Sequence, residues 1–407
     1  MKSIKSMMLG GAVLLALPMF LTSCDEIIGE LDNTVIIKNG TFSYATTSQT
    51  IGNNASNYVN PITIEGDGKV TYSSSDPTIA EVDPETGAIT PHKAGTVTIT
   101  ATITDGKQYV YETKEISYTL KINYPYLKWD DTTKKLVEAE PLDETTASII
   151  PAESDLADFM LGDKLLPAGT YIIAEDMTFN STIRLSGNVN IILTDGKTLT
   201  FNNSFFGYDG DGNFELNVYG QSENSGKLII KDRSGAFKPL NIYGGIIEVG
   251  ETGNSSDYRF ADLRGMNVYG GKVTVFNHKD GTINSVRIQD GYKLAIYGGE
   301  MTVDTQHTGG TSTNCTGISG DVEINDGKLT VTSVKSSYTN ANAIYGNLTV
   351  NGGTVSLYGG PNAGQDNAVT GTITAGAGVT LEESDDATSW TTISGTSSNK
   401  MYIRTKQ

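Results

Sequence analysis

Apolar and polar residues alternate along the first third of the chain. In GTVTITATI (95–103), Val97, Ile99, Ala101 and Ile103 fall on one side of an extended strand and the threonines on the other. KVTYSSSD (69–76) repeats the pattern with Val70 and Tyr72. Turn pairs punctuate these runs: Asp-Pro at 76–77 and 83–84, Thr-Gly at 86–87 and Ala-Gly at 94–95. Roughly seven short strands in this span predict a β-sandwich over 34–123. Downstream, WDDTTKKLV (129–137) predicts a small hairpin. PAESDLADFML (151–161) predicts a short amphipathic helix with Leu156, Phe159 and Met160 on one side, so that 124–161 forms a junction and cap.

From 162 to 407 the alternation is folded into a longer period. LNIYGG (240–245) returns as MNVYGG (266–271) and LAIYGG (294–299). The residue after the tyrosine recurs as Asp195, Gly220, Gly244, Gly270, Gly298, Asp326, Gly352 and Ala375, at intervals of 23 to 28 residues. A second glycine keeps step at 187, 212, 235, 265, 291, 320, 346 and 371. Each copy holds three strand-like runs, in one case LNIY (240–243), IIEV (246–249) and YRFADL (258–263). Short repeats of this kind stack to bury a continuous core, and three strands per copy fit three sides of a coil. The prediction is a right-handed parallel β-helix of about eight coils. Leucine-rich repeats need a motif that is absent, and propeller blades need a period of about forty residues or more.

Within LNIY, Leu240 and Ile242 face inward, so Asn241 and Tyr243 face outward. Stacking then places Tyr219, Tyr243, Tyr269 and Tyr297 in one outer column at about 4.8 Å per step. The column is expected to begin at Thr194 and continue as Asn325 and Asn351, with Asn217, Asn241 and Asn267 beside it.

Two stretches resemble known families. YSSSDPTIAEVDPETGAITPHKAGTVTITAT (72–102) resembles the bacterial Ig-like domain of group 2, with its serine-rich strand, A-x-V and G-x-I steps and final A-G-T-x-x-I. That resemblance implies a spacer that holds a distal module away from a cell surface, sometimes with a part in adhesion. AGTYIIAEDMTFNSTIRLSGNVNIILTDGKTLTF (168–201) is similar to the first coils of pectin-lyase-like proteins, which include polysaccharide lyases and polygalacturonases. The similarity is architectural and does not by itself bring chemistry.

The N-terminus reads as a targeting segment. Lys2 and Lys5 precede a largely apolar run, 7–20, too short to span a bilayer comfortably, and LTSC closes it. LTSC resembles the bacterial lipobox. The resemblance implies a signal peptide over 1–23, lipidation at Cys24, a tether over 24–33 and a lipid anchor in the outer membrane. Asp25 and Glu26 resemble a surface-export signal. Loss of residues 1–23 leaves 27 basic against 47 acidic residues, a net charge of −20. Such a surface repels nucleic acid, so no nucleic-acid partner is expected. With Cys24 lipidated, only Cys315 remains and no internal disulfide forms.

Candidate chemistry is sparse. Aromatic faces bind the apolar sides of sugar rings, which makes the four tyrosines, with Asn241 and Asn267, the ligand-binding candidates. The structural alternative is that like side chains simply stack to shield the sheet. Loops at 250–257, 277–282, 304–314, 333–340 and 359–366 should emerge along one edge, where solenoids commonly bind partners. GYDGDGN (207–213) places Asp209 and Asp211 as a calcium loop begins, but Gly220 stands where the twelfth-position glutamate belongs, so a plain turn is expected. Cys315 aligns with Ala341 as an inward-packing residue, and His92, His278 and His307 lack metal spacing and read as solvated. No metal, cofactor or catalytic residue is predicted. No G-H-G occurs; Asp385 with Asp386 and Asp232 with Arg233 are the nearest approaches to a catalytic carboxylate arrangement. The expectation is a surface lipoprotein that binds a glycan or a cell-surface protein without turnover, as an adhesin or carbohydrate-binding module. The alternatives are a polysaccharide-degrading enzyme and a fimbria-like stalk. The composition leaves the oligomeric state open.

Overall fold

The computed structural model describes residues 38–143, 145–207, 213–250, 259–278, 284–307, 315–335, 341–360, 367–396 and 398–406. Cys24, with the whole targeting segment, and the Asp209/Asp211 turn lie outside these residues, as do most of the edge loops. The described chain is all-β: an Ig-like sandwich followed by a β-solenoid of about seven turns.

In the sandwich, Gly95–Ile103 is the central strand and its alternation is realised side chain by side chain. Val97, Ile99, Ala101 and Ile103 are all buried. It pairs antiparallel with Glu115–Asn123 on one side and Val70–Ser74 on the other, and Ser48–Gly52 joins Glu115–Asn123 in parallel. Two short antiparallel pairs, Phe42–Tyr44 with Ile62–Ile64 and the hairpin Ala80–Val82 with Ile89–Pro91, add to these. They share the core through Phe42, Ala80 and Ile89.

The solenoid has three walls, named here in the order of the LNIY, IIEV and YRFADL runs. Wall A holds eight parallel strands from Gly169–Ile173 to Leu348–Val350, wall B eight from Met177–Phe179 to Thr354–Tyr358, and wall C eight from Lys164–Leu166 to Ala341–Tyr345. One apolar cluster runs through all of them, and on wall A it takes Leu216, Val218, Leu240, Ile242, Met266 and Val268. A file of phenylalanines fills the first coils. Phe201 stacks between Phe179 at 5.3 Å and Phe205 at 4.3 Å, and Phe237 follows at 5.5 Å.

The corner between walls A and B explains the paired glycines. The second residue of each corner pair carries the left-handed backbone, with φ of 83° at Gly245, 74° at Gly271, 71° at Gly299 and 68° at Gly353, and 79° at Gly327, where Asp326 takes the first place. Stacked corners also leave no room for a side chain: a Cβ on Gly271 would sit 2.4 Å from the Gly245 carbonyl oxygen. Glycine alone meets both demands.

At each end of the solenoid the chain itself adds strands to open parallel edges, which are otherwise sites for pairing with another chain. Ser148–Ile149 extends wall A in parallel and Ala157–Asp158 pairs antiparallel with Lys164–Leu166 on wall C. At the far end Tyr402–Thr405 pairs antiparallel with Thr354–Tyr358 and so caps wall B within its own molecule.

The structure corrects the sequence at four points. Residues 151–161 form no amphipathic helix. Two short 3₁₀ turns flank the two-residue strand, Leu156 enters the core, and Met160 and Leu161 are exposed. A strand satisfies the open N–H and C=O groups of the adjacent edge, which a helix cannot do. The repeat phase slips at both ends: Ile192, not Thr194, pairs with Tyr219, and Ala375 pairs with Val350 rather than lying opposite Gly352. The wall A/B corner of that coil holds a different number of residues, which moves the marker without moving the strand. Gly235 falls out of step with its glycine series: it pairs within wall C between Phe206 and Ala261 rather than lying level with Gly265. His278 is not solvated: its side chain is 10% exposed and Nε2 lies 3.4 Å from Asp304 Oδ2.

Candidate functional site

The outer face of wall A bears the tyrosine column. Parallel registration sets Val218, Ile242, Val268 and Ile296 one above another, so the residue that follows each of them shares a vertical line. The rings of Tyr219, Tyr243, Tyr269 and Tyr297 are successively 4.6, 4.8 and 5.0 Å apart and inclined by no more than 10°. All four lie outside the apolar cluster and are half-buried. Beside them the amide of each asparagine donates to the one before it: Asn267 to Asn241 at 2.8 Å, Asn241 to Asn217 at 2.8 Å, and Asn217 to Asn190 at 2.9 Å. Asn190 ends the ladder on the Thr170 hydroxyl at 3.0 Å. Asn241 is buried, and its amide also reaches Glu215 at 3.0 Å. Lower down, Asn351 donates to Asn325 at 3.0 Å.

The junction lies over this column. Leu127–Asp130 and Lys135–Glu138 form an antiparallel hairpin. Trp129 on its first strand reaches Tyr269 at 5.0 Å and Tyr297 at 5.8 Å between ring centres, while Tyr126 meets Tyr219 edge-on at 5.1 Å. Leu136 on the second strand fills the space a Cβ would need at Gly270. Above, Tyr124, Ile172 and Ile192 share a small buried cluster with Tyr219. Polar contacts fasten the Ig-like domain to the same face. The buried Gln221 amide donates to Asn53 Oδ1 and to the Pro125 carbonyl, both at 2.8 Å, and Asn54 donates to Ser222 at 3.1 Å. The column is therefore the seat of the chain's own hairpin along much of its length. Trp129 was visible in the sequence only as part of a hairpin; nothing local marks which wall a hairpin will lie on.

Burial pushes the phenols of Tyr219, Tyr243 and Tyr269 up to about 12, with a neighbouring phenol adding to the effect in each case. Between pH 10 and 12 the folded state then holds more protons than the unfolded chain. This contribution to stability is complete below pH 10 and is lost as the pH rises to 12. Ultraviolet phenolate absorbance should show these three rings, together with Tyr44 and Tyr118 of the sandwich, ionising late in native protein and with the bulk in urea. A native titration with no late fraction would count against the covered column.

Other candidate groups have structural partners. Asp232 accepts from Ser204 at 2.9 Å; Asp385 pairs with Lys400 at 2.6 Å; and Asp386 accepts the Thr388 and Ser389 amides that close its turn. Cys315 lies in register with Ala341, fully buried, its sulfur 3.3 Å from the Ser333 hydroxyl. His92 is exposed near Glu81 at 3.6 Å, and the His307 side chain lies outside the described residues. Among the described residues no three His, Cys, Asp or Glu side chains converge as a metal site would require.

These features define a class: an Ig-like sandwich fastened laterally to a β-solenoid whose outer walls carry stacked arrays of like side chains. Residues 37–113 match the bacterial Ig-like domain (group 2) family. The matched span stops short of Glu115–Asn123, the strand that joins Gly95–Ile103 to Ser48–Gly52. No match to the chain was found among curated proteins.

Proposed function

We propose that this protein is a cell-surface glycan-binding lipoprotein, anchored in the outer membrane through Cys24, that binds without turnover. The observation that carries the reading is the clamp. The hairpin and Gln221 hold the Ig-like domain and its junction along wall A as far as Tyr297, which leaves the outer faces of walls B and C to carry contact. Solenoids of this kind suit extended ligands, because side chains repeat along each wall at about 4.8 Å. Support for binding over hydrolysis comes from the carboxylates named above, which are engaged in turns and ion pairs.

The purified chain is expected to retain neutral polysaccharide on affinity gels while releasing no new reducing ends and no unsaturated products. Product release would overturn the non-catalytic reading. In cells, Cys24→Ser should move the protein from the membrane fraction to the soluble one, and its retention in the membrane would remove the anchor.

A further inference from the structure

The far end of wall B carries a second aromatic group, remote in the fold from the tyrosine column. There Ser356 lies opposite Arg404, Leu357 opposite Ile403 and Tyr358 opposite Tyr402. Leu357 and Ile403 are buried in the core, so alternation turns Ser356, Tyr358, Tyr402 and Arg404 outward. The two tyrosine rings stack at 4.4 Å and 11°. Trp390 meets Tyr402 edge-on at 6.4 Å, and the Arg404 guanidinium lies 3.8 Å from the Trp390 ring centre. The indole N–H is fixed on the Ala387 carbonyl at 3.1 Å. Between these rings and the preceding strand lies a groove of about 620 Å³, within the range of about 300–1,000 Å³ usual for ligand sites. Thr330, Thr354 and Ser356 line it with hydroxyls.

The chemistry of the groove selects its ligand. Aromatic faces are electron-rich and attract the weakly positive C–H faces of sugar rings. Hydroxyls on a pleated floor suit sugar hydroxyls. Three cations line the groove, and two of them are already paired: Arg404 Nε and Nη2 donate to Glu382 at 3.1 and 3.0 Å, and Lys406 Nζ lies 3.6 Å from the same carboxylate, while Lys328 is the third. An acidic glycan would also approach a chain of net charge −18. We propose that this groove is a binding site for a neutral glycan chain, with Trp390, Tyr358 and Tyr402 receiving the sugar faces and the Thr330, Thr354 and Ser356 hydroxyls bonding its edges. This assignment rests on the glycan-binding reading above and gives it a location.

The chain contains two tryptophans, Trp129 over the tyrosine column and Trp390 at the groove, so each reports on one site. In Trp129→Phe, titration with cellohexaose, xylohexaose or mannohexaose should shift the emission of Trp390 saturably for at least one of them. In Trp390→Phe, the same sugar should leave Trp129 emission unchanged. Trp390→Ala should weaken that binding at least about tenfold by calorimetry. Ser356→Lys, an exposed floor position outside the aromatic packing, should weaken it comparably and remain folded even if Trp390→Ala does not. Undiminished affinity in Ser356→Lys and in any folded Trp390→Ala, or a response of Trp129 alone, would overturn this site and leave glycan binding standing elsewhere. Binding of polygalacturonate alone would overturn the neutral-ligand assignment. No response of the unsubstituted chain to any of the sugars would overturn the site and the glycan-binding reading together.

Discussion

Phe201→Ala is expected to lower the stability of the solenoid by about 3–5 kcal/mol, the range for removing a fully buried aromatic ring. Phe201 is fully buried and stacks on Phe179 and Phe205 at once. Its strand is also held on both sides, in register with Met177–Phe179 and with Lys227–Ile230. Pinned backbones cannot close over the void, so the cavity persists and the cost falls at the upper part of the range. A urea titration followed by circular dichroism should show the midpoint falling. A change below about 1 kcal/mol would mean that the first coils are packed more loosely than the ring distances indicate.

Gly271→Ala carries the second large effect, for a different reason. Left-handed backbone costs a residue with a Cβ about 1–2 kcal/mol. The new atom would also lie 2.4 Å from the Gly245 carbonyl oxygen, which already accepts the Lys272 amide at 2.9 Å. Relief requires that bond to lengthen, and the corners above and below are stacked on it. The expected loss is about 2–4 kcal/mol, the conformational cost plus the local strain. Gly291→Ala is the control, since its φ is 83° but nothing lies within 4 Å of the added atom. It should cost only the conformational part, about 1–2 kcal/mol. Equal losses in the two variants would remove the stacked-corner explanation.

Much of the architecture was legible because its cause is periodic. A parallel stack repeats identical positions from coil to coil, so two markers in step already imply a solenoid, three runs per copy imply three walls, and one alternating strand implies which side chains leave the core. That logic held for Tyr219 through Tyr297 and for Asn217 through Asn267, all of which stand in line. It weakened where the repeat stops. Counting from glycine markers puts Thr194 level with Tyr219 and Ala375 level with Gly352, yet register follows strand pairing, and corners tolerate an added or missing residue. The apolar spacing of 151–161 suits a helix, but the open edge that the segment covers requires a strand.

The candidate sites divide along the same line. The columns were available to sequence reasoning because each member repeats. The groove at wall B was not, since Tyr358 comes from the last repeating strand of that wall, where the coil before it has Thr332, and Trp390, Tyr402 and Arg404 come from segments beyond the repeat. Only the alternation Tyr402, Ile403, Arg404 hinted that a ring and a charge would share an outer face.

The sequence by itself determined that the chain is all-β, that an Ig-like domain precedes a coil of short repeats, and that four phenols share a wall. Those properties arise from local alternation and from glycines at tight corners, which act over a few residues. Tertiary structure alone decided that the Trp129 hairpin covers the phenols, that Tyr402–Thr405 seals the end of wall B, and that Trp390 stands against Arg404. Each of these joins segments far apart in the chain through burial and edge pairing, which depend on which surfaces the completed coil leaves open.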